Sequence, residues 1–320
     1  MTSVLAVGSM ALDSVETPFG KRDDVLGGSA AYFATAASFL TETRLVAVVG
    51  ADYPEEALNF LRDRGVKVEG VTRAAGPTFR WRGRYGFDLN DAKTLETQLN
   101  VFANFEPVLP KSYLDSEILF LGNIHPQLQS RVLKQATHAR LIAADTMNLW
   151  ISTERAALLN TLKGVHLLFV NDGEARQLSG EHHIVKAARA IQSMGPHTVV
   201  IKRGEYGAML FQGDHVFAAP AFPLPALFDP TGAGDSFAGG FLGRLARADA
   251  KSRLDARTLR QAVALGGVMA SFTCEAFSFD RLRTLTRQEL AHRYGELQRL
   301  TVFEDLPSEL LTDSAQKASA

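Results

Sequence analysis

The feature that most restricts this chain is a series of short, continuous apolar runs, each followed by a longer amphipathic stretch. The runs fall at 4–7, 45–49, 118–121, 141–144, 167–170 and 199–201, and helical patterns fall between them at 55–64, 127–137, 153–162 and 185–194. A run without in/out alternation suits a strand buried on both faces, as in a parallel sheet covered by helices. Repetition of such units predicts right-handed crossovers and a doubly wound, mostly parallel α/β sheet flanked by helices. The 320 residues, 46% of them hydrophobic and 22% charged, are ample for one such core.

Two segments break the rhythm, at about 13–25 and 78–102. In the second, Thr78, Arg80, Arg82 and Arg84 alternate with Phe79, Trp81 and Tyr85, a period-2 pattern that predicts a small β-layer off the main sheet. That layer would form a lid over a cleft or clasp a second copy of the chain in a two-fold dimer. The expected organisation is one domain over 1–303, with lid segments at those two places, and a polar tail over 304–320.

Composition excludes several functions. Lys and Arg total 34 against 35 Asp and Glu, so no charge excess favours nucleic acid or an anionic membrane. The single cysteine, Cys274, rules out an internal disulfide and a Cys-based zinc site. No stretch approaches the roughly 18 apolar residues of a membrane span, and the N-terminus lacks a basic leader region. The expectation is a cytoplasmic protein. No G-x-x-x-x-G-K-[ST] loop is present, and Gly232-x-Gly234 lacks the third glycine of a dinucleotide fingerprint.

Ligands in such sheets bind beyond the carboxyl ends of the strands, which directs attention to Asp13, Asp52, Asn123, Asp145, Asn171 and Lys202. The most informative stretch is Phe228-Asp-Pro-Thr-Gly-Ala-Gly-Asp-Ser-Phe. Its glycines allow backbone N–H groups to converge, and the helix that follows, with Phe237, Phe241 and Leu245 on one face, adds partial positive charge. This is a site for developing negative charge. Asp235, in the first helical turn, is placed to accept a proton; a helix-capping role is the plain alternative.

The chain resembles the PfkB, or ribokinase-like, carbohydrate kinases. Asp229-Pro-Thr-Gly-Ala-Gly-Asp235 resembles their D-T-x-G-A-G-D signature, Asn171-Asp-Gly-Glu174 their N-x-x-E motif, Gly27-Gly28 their N-terminal diglycine, and Asp13 their substrate-binding acid. Order and spacing agree over nearly the whole chain. The resemblance implies ATP-dependent phosphorylation of a hydroxyl on a sugar or sugar-like molecule, with Asp235 as base and Gly232, Ala233 and Gly234 as the anion hole. It implies that Asn171 and Glu174 organise Mg2+ through water; their spacing equally satisfies a helix capping box. Thr231, Lys202, Gly204 and Gly207 would face the nucleotide, and 264–272 the adenine. Asp13, Gly27, Gly28, Ser29, Tyr32 and Asn123 would face the acceptor.

Two departures matter. Pro230 stands where threonine is usual in the loop beside which relatives often hold a monovalent cation such as K+. Tyr32 replaces an asparagine after the diglycine, which argues against simple transfer of a ribokinase or fructokinase substrate and admits a cyclitol, a nucleoside or a sugar with an apolar face. Arg80, Arg82, Arg84 and Tyr85 would add specificity from the lid, a solvated strand face being the plain alternative for each arginine. The remaining alternatives are a non-catalytic ligand-binding paralogue and a structural protein assembled through the β-layer; the intact 231–235 loop with Asn171 and Glu174 disfavours both.

Overall fold

The computed structural model describes residues 2–90 and 92–307. Of the expected tail, 304–307 is exposed and 308–320 lies outside the described residues. In chain order the elements are β1 (Val4–Val7), β2 (Ala11–Thr17), β3 (Gly20–Gly27), α1 (Ser29–Ala37), β4 (Thr43–Val49), α2 (Glu55–Asp63), β5 (Lys67–Arg73), β6 (Arg80–Tyr85), β7 (Ala92–Gln98), β8 (Ile118–Leu121), α3 (Pro126–Gln135), β9 (Leu141–Asp145), α4 (Asn148–Thr153), α5 (Arg155–Leu162), β10 (Leu167–Asn171), α6 (Asp172–Ser179), α7 (Ile184–Gln192), β11 (Thr198–Lys202), β12 (Ala208–Gln212), β13 (His215–Ala219), α8 (Ala233–Ala246), α9 (Ala256–Thr273), α10 (Asp280–Thr284) and α11 (Arg287–Leu300).

The main sheet runs β13-β12-β11-β10-β9-β8-β1-β4-β5. Its strands pair in parallel except where β12 lies antiparallel between β11 and β13. Each expected apolar run is a strand, and β1 shows why the runs are continuous. Val4 and Ala6 join one core layer with α1, α8 and α9, while Leu5 and Val7 join the other with α3, α5 and α7. Alternate side chains point to opposite faces, and both faces are dry. Aromatic packing ties the first layer together, with Phe33 stacked on Phe120 at 4.0 Å and Phe169 edge-on to Phe241 at 5.3 Å between centroids.

The lid is a second sheet in the order β3-β2-β6-β7. β2 pairs antiparallel with β3 and parallel with β6, and Asp13 lies in register with Trp81. Both expected lid segments are therefore in it. Two of its arginines bridge neighbouring segments through three ion pairs: Arg80 reaches Asp24 and Asp52, and Arg84 reaches Glu16 at 3.0 Å. Strands β5, β12 and β13 extend the main sheet beyond the pattern read from sequence.

Candidate active site

Adjacent strands β9, β10 and β11 end in Asp145, Asn171 and Lys202, so parallel pairing alone gathers these three polar residues on one rim. Lys202 Nζ meets Asp145 Oδ2 at 2.7 Å. Burial works against the ammonium, but the carboxylates of Asp145, Glu174 and Asp235 outweigh it and raise the Lys202 pKa. A Cβ on Gly234 would stand 2.9 Å from Lys202 Nζ, so glycine there lets the anion loop settle onto the cation.

The loop is braced from below. Asp229 accepts from the Thr231 amide at 2.9 Å and from the Ser278 amide at 3.3 Å. Burial raises its pKa, and these hydrogen bonds partly offset the rise. Gly232 has φ of 76°, and a Cβ on it would fall 2.3 Å from the Tyr32 ring. Tyr32 is 2% exposed and stacks on Phe279 at 4.2 Å. Its ring is thus the platform beneath the loop, where the sequence suggested an acceptor contact. Burial, then the Asp229 carboxylate, raise the pKa of its phenol well above the ordinary value.

α8 begins at Ala233, whose amide donates to Pro230 O at 3.0 Å. The first helical bond into the loop runs from the Ser236 amide to Gly232 O. Among the described residues, the Gly232 and Gly234 amides have no carbonyl partner, as expected for the open end of a helix. Asp235 stands in that first turn. Desolvation, and the nearby Asp145 charge, push its pKa up to about 7, against the pull of Lys202.

Asp13 lies across the cleft in β2, 5% exposed, with Oδ1 lacking any hydrogen-bond partner. Burial, then the charges of Asp229 and Asp235, push its pKa up to about 8, opposed by the Gly28 amide. Gly27 is obligatory here, because its Cβ would lie 1.9 Å from Asp13 Oδ2, and Gly28 (φ 97°) would strike the Ser9 and Met10 backbone. Ser29 is turned inward, its hydroxyl 3.2 Å from that of Ser9.

Other expected residues have local partners. Asn171 and Glu174 form a reciprocal capping box on α6, each side chain accepting from the other's amide at 2.7 Å. Asn123 accepts from Trp150 Nε1 at 2.9 Å. Gly204 (φ 54°) is faced by Asn90 at the tip of the β6–β7 hairpin, and Gly207 (φ 83°) packs on the Ala219 carbonyl. The lid also reaches the loop directly: Thr231 Oγ1 donates to the Tyr85 hydroxyl at 3.3 Å.

Sequence reading missed the Lys202–Asp145 pair and the brace at Ser278. The first was signalled only by polar strand ends on neighbouring strands; the second, 49 residues from Asp229, left no local trace. Among the described residues no group of three or more His, Cys, Asp or Glu could hold a metal by itself.

The profile of the pfkB family carbohydrate kinases matches residues 1–281. The chain belongs to the pfkB family. Among pfkB relatives, it is 30% identical over 271 residues to the cytidine kinase of Thermococcus kodakarensis, covering 83% of this chain and 94% of that one. Two solved structures share the ribokinase-type fold. One is the Burkholderia thailandensis nucleoside kinase in complex with inosine (TM-score 0.71, 20% identity, 92% of this chain and 98% of that chain). The other is a putative ribokinase II from E. coli in complex with ATP and Mg2+ (TM-score 0.73, 18% identity, 93% and 100%). No helix among the described residues is long and apolar enough to cross a membrane.

Proposed function

We propose that this pfkB kinase transfers the γ-phosphoryl group of ATP to a hydroxyl on the sugar of a nucleoside. The observation that carries the kinase half is the Asp235 carboxyl standing in the first turn of α8 beside the open Gly232 and Gly234 amides. Asp235 Oδ takes the proton of the acceptor hydroxyl, and a pKa of about 7 suits a base at neutral pH. The two amides and the α8 N-terminus hold the negative charge that builds on the transferring group. Lys202, locked by Asp145, adds a fixed positive charge on the same side. Asn171, Glu174, Lys202, Gly204, Gly207 and Thr231 would hold the nucleotide and hydrated Mg2+; when bound, these supply the phosphoryl group and neutralise phosphate charge.

The nucleoside half rests on the lid. Asp13, with an unpartnered buried oxygen, can take a sugar hydroxyl, and Gly27 and Gly28 leave room beside it. Trp81 lies in register with Asp13, and its indole covers Gly83, where a Cβ would fall 2.0 Å from the ring. Registered residues share a face, so an aromatic surface flanks the acid that would hold the sugar, fitting a base stacked beyond a ribose. The relatives named for cytidine and inosine favour the same choice. A free sugar or cyclitol is the second reading, favoured by the family's carbohydrate kinases. A panel of nucleosides, sugars and cyclitols assayed for ADP release from Mg–ATP separates them. Turnover with nucleosides, lost in Asp235→Ala, is the expected result; turnover confined to free sugars would overturn the nucleoside half.

A further inference from the structure

At the end of α8 remote from Asp235, a cavity of about 520 Å³ opens between α1, α8, α9 and α11. Its floor is apolar: Phe39, Leu265 and Leu290 are all buried, and the Tyr294 ring stands beside them. Its rim carries the guanidinium groups of Arg244, Arg247 and Arg287.

The partners of Arg244 and Arg287 are neutral. Arg244 donates to Gln261 Oε1 at 2.7 Å, Arg287 to the Phe39 carbonyl at 3.1 Å, and Arg247 to the Leu40 carbonyl at 3.5 Å. Behind the wall, Arg64 stacks on Phe39 at 4.0 Å, its pKa lowered to about 10 by burial and by the charge of Arg287. Asp255 feels the Arg244 charge, but its Oδ1 caps α9 through the Thr258 amide. Arg253, Arg281 and Arg293 each meet a carboxylate, whereas among the described residues Arg244 and Arg287 meet none.

The plain reading is that Arg287 and Arg247 cap carbonyls just past α1 and that Arg244 ties α8 to Gln261 of α9. Capping satisfies N–H groups but leaves the charge in place, and several guanidinium groups around one concavity concentrate a positive field. Guanidinium pairs with phosphate through two parallel hydrogen bonds. The volume falls within the roughly 300–1,000 Å³ of small-molecule pockets, and the floor offers a ring an apolar seat.

We propose that this cavity is a second ligand site, taking a phosphate monoester carried on a flat ring, of nucleoside monophosphate size. The phosphate sits between Arg244 and Arg287, and the ring lies over Leu265 and Tyr294. Arg244 is nine residues past Asp235 in α8, about 13 Å along the axis, so the site is separate from the catalytic loop.

Calorimetric titration of the full chain with AMP, adenosine and inorganic phosphate, each with and without saturating Mg–ADP, tests it. AMP should bind whether or not Mg–ADP is present, at least about tenfold more tightly than phosphate, and Ala291→Glu should weaken AMP while leaving adenosine, which the kinase site would take, unchanged. Arg244→Gln with Arg287→Gln should weaken AMP by about tenfold or more. Because that double variant also removes a cap, Ala291→Glu serves beside it: Ala291 is an exposed lining residue, and a carboxylate there should weaken AMP equally while thermal unfolding and kinase turnover stay unchanged. AMP binding that Ala291→Glu leaves intact would place AMP in the kinase site, where a phosphorylated nucleoside would sit as product beside Mg–ADP, and overturn the proposal. So would phosphate binding as tightly as AMP, or no binding of AMP. Failure to bind Mg–ADP would count against the kinase reading instead, while the AMP titration still decides the cavity.

Discussion

Two acids with opposite neighbours set the chemistry at the level of single residues. Asp235, near 7, must be ionised to act as base, so kcat/KM for the acceptor is expected to rise with pH through about that value and then level off. Asp145→Asn removes the like charge that raises Asp235 and frees Lys202 to act on it; the midpoint should move to lower pH, and a pH–rate profile of both proteins checks it. Asp235→Ala should lower kcat by roughly 10²–10⁴ with the fold retained by circular dichroism; turnover near the wild-type level would sink the base assignment. Tyr32 separates platform from contact. Tyr32→Phe keeps the ring under Gly232 and should leave KM for the acceptor nearly unchanged, whereas Tyr32→Ala should cost about 3 kcal/mol or more of stability by denaturant unfolding. A large rise in KM for the phenylalanine variant would mean that the hydroxyl meets the acceptor.

α8 is the element on which the site depends, and its glycines are dictated by neighbours. Gly232→Ala should lose about 1–3 kcal/mol, since φ is 76° and Tyr32 occupies the space, and urea unfolding would report it. Gly239 and Gly243 let α8 close on α1, where a Cβ would fall 2.5 Å from the Phe33 carbonyl oxygen and 2.7 Å from Leu40 Cδ1. How far such features are legible follows the range of the interactions behind them. The central strands could be read because burial on both faces forces continuous apolar runs. β5, KVEGVTR, could not: it is an edge strand with exposed Lys67, Glu69, Thr72 and Arg73. The β12–β13 hairpin follows a turn pattern, not a βα unit, and escaped for that reason. In the site, Gly232, Gly234 and Asp235 were readable because one turn holds them. The Tyr32 platform and the Ser278 brace were not, because contacts distant in sequence create them.

For the whole molecule, Asp13 and Asp235 titrate near 8 and 7 against an ordinary carboxyl value of 3.8. The folded state holds their protons more tightly than the unfolded chain does. Their contribution to stability is therefore fully present below about pH 4 and is lost as pH rises through 7 to 8. Thermal melts of wild type and of Asp13→Asn between pH 5 and 9 should converge at the acid end and diverge at the alkaline end, with the variant the more stable there. The lid's β7 is exposed along nearly its whole length, Leu95 included, so a second copy of the chain could add against it. Sedimentation velocity should then give a dimer that Leu95→Lys dissociates, and a monomer in wild type would remove that expectation. The lid has one further consequence. It touches Thr231 through Tyr85 and Gly204 through Asn90, which on the proposed reading are the nucleotide's loops, while its inner strands would roof the acceptor. A roof latched by the same loops that receive the nucleotide closes the door on whatever has not yet entered. Steady-state kinetics should accordingly be sequential and ordered, the acceptor arriving first and its phosphorylated product leaving last, a sequence that product-inhibition patterns would distinguish from random addition.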